Sequence, residues 1–250
     1  MRAIGFGFGV SLAALAGCTD GDAACGDDAT AAAGAGLAVL ETRDGVCLIG
    51  DHFPGDAGAP GVVLLHMTPT SGASRADWSS DFIGALGDEG WHVLALDRRG
   101  AGASGGAPAD ASEGPGGRYD VEAGALFLVD AGAGPLALVG ASNGTTSLVD
   151  YAVWSEDENR TPVSAAALLS PGTYTENQTD MPTYAAAGVP TLFVAAEAEA
   201  DWSAAQVGLA PELWSLSEVP GAAHGTDLLV DAPEVTPLVT DALRGALAGR

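Results

Sequence analysis

The feature that most constrains this chain is a series of short, continuously apolar runs, each followed by a helix-compatible stretch. "GVVLLH", "WHVLALD", "PLALVG", "VSAAALLS" and "PTLFVAA" follow one another from residue 61 to 196, and a more polar "ELWSLSEV" closes the series. Strands that are apolar at every position, not at alternate ones, are buried on both faces, which requires a parallel sheet with helices on either side. Ahead of them, "LAVLETRDGVCLIGDHFPG" alternates apolar and polar residues around Arg43-Asp44-Gly45, the pattern of a hairpin with an Asp-Gly turn. The expected class is therefore α/β, with a mostly parallel central sheet and an antiparallel hairpin at its start. Helices are expected at about 74–89, 119–131, 143–155, 203–210 and 231–248, the last with Asp231 as N-cap and its end at Gly249. The glycine-rich segment from Gly102 to Arg118 reads as a surface loop.

The first residues do not belong to that fold. "MRAIGFGFGVSLAALAGC" places one positive charge before an apolar stretch and ends in Leu15-Ala16-Gly17-Cys18, which resembles the lipobox of bacterial lipoproteins. The resemblance implies a signal peptide over residues 1–17, a lipid on Cys18, and a protein held at the bacterial cell envelope, the outer membrane weakly preferred. Residues 18–36 are rich in Ala, Gly and Asp and read as a flexible tether, leaving 37–250 as one domain. Three cysteines become two if Cys18 is lipidated, and an even pair in an oxidising compartment, Cys25 and Cys47, favours a disulfide.

Charge removes other function classes. The chain carries 33 acidic and 9 basic residues, a net charge of −24, which repels phosphate backbones and argues against nucleic acid as a partner. Every basic residue is arginine, so a P-loop lysine and Schiff-base chemistry, pyridoxal phosphate included, are excluded. Cysteine and histidine spacing suggests no zinc site.

The chemistry gathers around "LALVGASNGTTSLVDYA". Ser142 stands between Gly140 and Gly144 where an apolar strand gives way to a helix. A sharp strand-to-helix turn brings backbones together, and glycines on both sides of a serine let it form. The turn would raise the hydroxyl above the carboxyl edge of the sheet, beside the free N–H groups of a new helix. A serine hydroxyl needs a base. Of the four histidines, His52 and His92 read as half-buried strand residues and His66 closes a strand, whereas His224 lies in a loop past the last strand. An orienting carboxylate could come from Glu197, Glu199 or Asp201, which follow the preceding strand and keep the order serine, acid, histidine.

Four motifs in order, "LLHMTPTSGASRADW", "VLALDRRGAGASGG", "LVGASNGTTSL" and "PGAAHGTDLL", resemble the α/β-hydrolase superfamily from about Leu37 to the C-terminus. The second is similar to the Asp-x-Arg-Gly-x-Gly-x-Ser segment of esterase-like and lysophospholipase-like members. The resemblance implies Ser142 as nucleophile, His224 as base, and Glu199 as the acid with Asp201 as alternative. It also implies an oxyanion hole formed by the backbone N–H groups of Met67 and Asn143, with no metal or organic cofactor. Where the family usually has His-Gly after the third strand, this chain has His66-Met67, and a glutamate would stand where aspartate is usual. Only "PGTYTENQTDMPTYAAAGVP" separates the sixth and seventh strands, too little for a lid domain, so an open site is expected. The implied activity is acyl-enzyme hydrolysis of a carboxylic ester or thioester, and the missing lid favours small or water-exposed esters. A non-catalytic envelope protein that keeps the fold for binding is the alternative.

Overall fold

The computed structural model describes residues 25, 34, 36–157, 160–175 and 180–248. The expected signal peptide, Cys18, most of the tether and Gly249 lie outside them. Eight strands form one sheet in the order β1-β2-β4-β3-β5-β6-β7-β8. They are β1 Ala38–Glu41, β2 Cys47–Phe53, β3 Gly61–Leu65, β4 His92–Leu96, β5 Leu136–Ala141, β6 Val163–Leu169, β7 Thr191–Ala196 and β8 Trp214–Val219. β1 runs antiparallel to β2 and β2 antiparallel to β4; every other pairing is parallel. The expected hairpin turns through Gly45 at φ 81°, and Cys25 is joined to Cys47 at the head of β2, with their Cα atoms 5.1 Å apart.

The apolar runs are continuous because consecutive residues serve two cores. Val63, Leu65, Leu94, Leu96 and Leu138 face one cluster with Val121, Leu128, Leu148 and Ala152, supplied by α2 Gly116–Asp130 and α3 Gly144–Asp157. Val62, Leu64, Val93, Ala95 and Val139 face the other with Phe82, Leu86, Val235, Val239 and Leu243, supplied by α1 Ser80–Asp88 and the C-terminal helix Val235–Leu247. A fully buried side chain of this kind contributes about 1.5–3 kcal/mol. Edge strand β8 buries its two ends and leaves Ser215 and Glu218 exposed, which explains its more polar sequence.

Several helix boundaries differ from expectation. The 74–89 stretch is divided into a 3₁₀ turn, Arg75–Asp77, and α1, because Ser74 caps the turn and Trp78 and Ser79 are extended at its exit. α2 begins at Gly116, so the 102–118 loop is shorter than expected; Gly116 and Gly117 are buried, and a β-carbon on Gly117 would meet Ala111 O at 2.5 Å. A short helix, α4 Met181–Ala186, was not expected; Asp180 caps it by accepting from the Thr183 N–H. The helix expected at 203–210 is α5 Ala200–Val207, which starts three residues earlier, directly after the turn that ends at Glu199. Asp231 does not cap the last helix: it ends the short α6 Leu228–Asp231, and α7 Val235–Leu247 follows Glu234. Pro233 separates the two, since the residue before a proline is pushed out of the helical region.

After β3 the chain turns toward the core of α1 and α7, and after β5 toward the core of α2 and α3. The two neighbouring strands therefore release their loops to opposite faces, opening a crevice between their carboxyl ends. In open α/β sheets that crevice is where ligands bind.

Candidate active site

Ser142 follows β5 with φ 49°, a left-handed conformation that costs a non-glycine residue about 1–2 kcal/mol. The surroundings impose it. The Ser142 N–H donates to Leu169 O at 2.8 Å, and its carbonyl accepts from the Thr145 N–H and hydroxyl at 2.9 and 2.6 Å. A β-carbon on Gly144 would lie 2.2 Å from Leu65 O, and one on Gly140 2.9 Å from the Thr145 backbone. Glycine at 144 lets the elbow press against the end of β3.

His224 lies five residues past β8. The Ser142 hydroxyl is 2.7 Å from His224 Nε2, and His224 Nδ1 lies 2.8 and 2.9 Å from the two carboxylate oxygens of Glu199. With Glu199 ionised, Nδ1 carries the proton and donates to it, leaving Nε2 to accept from Ser142. Glu199 ends the turn Glu197–Glu199 and directs its side chain back to the sheet edge, while Asp201 enters α5 as an exposed residue. Glycine is also required after the histidine: Gly225 has φ 61°, and a β-carbon there would lie 2.5 Å from Met67 Sδ.

Met67 and Asn143 stand at the ends of β3 and β5, and among the described residues neither backbone N–H has an acceptor. Sequence reasoning missed what holds them in register. Arg98 is completely buried. Its Nη1 donates to His66 O and Met67 O, each at 3.2 Å, and to Asn143 Oδ1 at 3.0 Å; its Nη2 donates to Ala111 O and Ser147 Oγ, each at 2.7 Å. One guanidinium thus ties the loop after β3 to the elbow after β5. Burial brings its pKa down only to about 10, so it stays charged at neutral pH beneath the two free N–H groups.

His66, also fully buried, completes this lock. The Arg98 backbone N–H donates to its Nε2 at 2.9 Å, so Nε2 must be unprotonated and Nδ1 carries the hydrogen, donated to Met67 O at 2.8 Å. Burial and the adjacent Arg98 charge push its pKa down to about 3. The neighbouring Asp97 accepts from the Arg75 and Ala103 N–H groups at 2.8 and 3.0 Å and from the Arg75 guanidinium, folding the following glycine-rich loop over itself. His52 and His92 are remote from the serine, stacked on each other with ring centroids 5.8 Å apart; His92 is fully buried, not half-buried as expected.

The other residue sequence reasoning passed over is Tyr174, in the loop after β6, whose ring stands edge-on to His224 with centroids 6.4 Å apart. The site is otherwise open: the His224 and Glu199 side chains are 38% and 37% exposed.

The same fold recurs among solved structures. An esterase from Pyrococcus furiosus superposes with a TM-score of 0.67 at 18% identity, over 83% of this chain and 89% of that one. A candidate α/β hydrolase of Agrobacterium tumefaciens gives 0.68 at 18% identity, over 86% and 97%. A Rhodococcus esterase gives 0.56 at 15% identity, over 82% and 98%. No curated protein matches the chain by sequence. A family model described as serine aminopeptidase, S33, matches residues 70–215, a stretch that includes Arg98, Ser142 and Glu199 and stops before His224. That match takes in more than half of the chain, and the sheet order and crevice agree with it: the chain belongs to the serine aminopeptidase S33 family of α/β hydrolases, and the protein is a hydrolase.

Proposed function

We propose that the protein hydrolyses a carboxylic ester or thioester through an acyl-enzyme on Ser142. The observation that carries this reading is the unbroken chain from Glu199 through His224 to Ser142, every link between 2.7 and 2.9 Å. Ser142 Oγ attacks the acyl carbon while His224 Nε2 takes its proton, and Glu199 holds the imidazolium that forms. The carbonyl oxygen becomes an oxyanion, which the Met67 and Asn143 N–H groups receive. The intermediate then collapses: the bond to the leaving group breaks, and His224 returns its proton to the departing atom. Water next enters, gives a proton to His224 and attacks the acyl carbon, and Ser142 leaves protonated.

Small or solvent-exposed esters suit the open site. The Pyrococcus furiosus and Rhodococcus proteins are described as esterases, which favours an ester over an amide. We place the protein on the bacterial envelope, anchored through lipid on Cys18. The Cys25–Cys47 disulfide supports an oxidising compartment, and Cys18→Ala should move the protein from the membrane to the soluble fraction. The catalytic reading is tested with a fluorophosphonate probe and mass spectrometry of the modified peptide. An adduct on Ser142 is expected; a folded protein that forms none would be a binding protein with this fold.

A further inference from the structure

The acyl-enzyme scheme leaves the loop after β6 without a task, yet that loop is built as carefully as the elbow. Ser170, the first residue past β6, has φ 47°; it and Ser142 are the two non-glycine residues with positive φ among those described. It is buried, and both its side chain and its carbonyl serve the site. Its Oγ accepts from the Gly225 N–H at 3.0 Å, fixing the residue after His224, and its carbonyl accepts from the Tyr174 hydroxyl at 2.6 Å. The Trp202 indole N–H, on α5, donates to Thr173 Oγ1 at 3.0 Å and holds the loop from its other side. The result sets the Tyr174 ring edge-on to His224, its hydroxyl bonded to Ser170 O beside the Ser142 side chain and not bonded directly to it.

The protons at this junction are already allotted. Ser142 gives its only hydroxyl hydrogen to His224 Nε2, and Tyr174 gives its own to Ser170 O. Rotation about the phenolic C–O bond redirects the Tyr174 hydrogen without moving the ring. A leaving-group oxygen must stand in front of His224 Nε2 to receive the proton, and the ring that Tyr174 sets edge-on to His224 borders that position. Burial raises the phenol's pKa, so it remains a donor across the working pH range.

Resting on the acyl-enzyme reading, we infer that Tyr174 is a catalytic residue that donates a hydrogen bond to the leaving-group oxygen, suiting the site to alkyl esters with poorly stabilised alkoxide leaving groups. As the carbon–oxygen bond breaks, its electron pair stays on the departing oxygen, the Nε2 proton of His224 passes to that oxygen, and Tyr174 shares but keeps its own proton. A hydrogen bond to developing charge matters most where the leaving group cannot stabilise the charge itself. Nitrophenolate spreads its charge over the ring; ethoxide does not.

The test is a series of acetate esters, from p-nitrophenyl to ethyl, with kcat/KM measured on the full-length protein and on Tyr174→Phe. The variant should lose less than about threefold on the nitrophenyl ester and about tenfold to a hundredfold on the ethyl ester, steepening the dependence on leaving-group acidity. Ser170→Ala frees the His224 loop and should lower the whole series evenly, giving the signature of a positioning defect for comparison. Fluorophosphonate labelling of Ser142 serves as the fold check in each variant. An even loss in Tyr174→Phe, or none, with wild-type labelling intact would overturn the role of Tyr174 alone. Absence of any adduct in the wild type would overturn the acyl-enzyme reading and this inference together.

Discussion

The two flanks of Ser142 are built on opposite principles. On the β3–β4 side, Arg98 is completely buried and makes five side-chain hydrogen bonds, three of them to the segments that carry Met67 and Asn143 and two to Ala111 O and Ser147 Oγ. On the β7–β8 side, His224 and Glu199 are more than a third exposed and hold mainly each other. Fixed dipoles stabilise an oxyanion only if they need not reorganise, and burial in a satisfied polar network gives that rigidity. In the proposed mechanism His224 carries the proton and must meet substrate, water and product in turn, which its exposure permits. Damage on the exposed flank should therefore appear in turnover, and damage on the buried flank first in stability.

The sharpest contrast comes from the exposed flank. His224→Ala should lower kcat by about a millionfold and Glu199→Ala by about ten thousandfold, as removal of such residues does in comparable triads, with the urea midpoint of each unchanged. Arg98→Met should do the reverse. Orphaning several buried carbonyls and hydroxyls should cost roughly 3–5 kcal/mol in urea unfolding, and turnover of the folded fraction should fall only about a hundredfold as the two N–H donors lose their register. Equal stability losses on both flanks would break the comparison.

Acid should find the buried flank as well. His66 has its pKa pushed down to about 3 in the folded protein against an ordinary 6.5. Its contribution to stability is therefore complete above about pH 6.5 and declines as the pH falls from there toward 3. Urea midpoints measured from pH 7 to pH 4 should drop by a few kcal/mol equivalents in the wild type, and less steeply in His66→Gln. Identical slopes would show that His66 does not report on this flank. The smallest effect expected is that of Asp201→Ala, which should change kcat by less than about twofold because it removes only a screened surface charge.

How much of this was legible in the sequence follows the same division between buried and exposed. Strands β3 to β7 read directly, since two-sided burial demands an apolar residue at every position. Ser142 and His224 were legible because glycine pairs and chain order restrict where an elbow and a base can stand. Glu199 could be preferred over Asp201 only by resemblance, because Glu197, Glu199 and Asp201 lie within five residues and the turn that aims Glu199 inward leaves no mark in composition. Arg98 was hidden differently: the motif Asp-x-Arg-Gly draws attention to Arg99, which pairs with Asp120 and Asp44 away from the serine, while Arg98 occupies the unspecified position. Consecutive residues on an extended segment point to opposite sides, and only packing reveals which side is the site. Tyr174 carries no sequence signal at all, since its place depends on the left-handed turn at Ser170.

The central claim, that Ser142 carries the acyl group while the buried flank holds the oxyanion, is met most directly by an acid-quench experiment. Protein mixed with p-nitrophenyl acetate is quenched during turnover and its peptides are weighed. The account predicts one acetyl group on the peptide containing Ser142, accumulating at the same rate as the first burst of nitrophenol, and its absence in Ser142→Ala. Turnover of the ester with no acetylated Ser142 at any quench time, or acetylation that persists unchanged in Ser142→Ala, would contradict it.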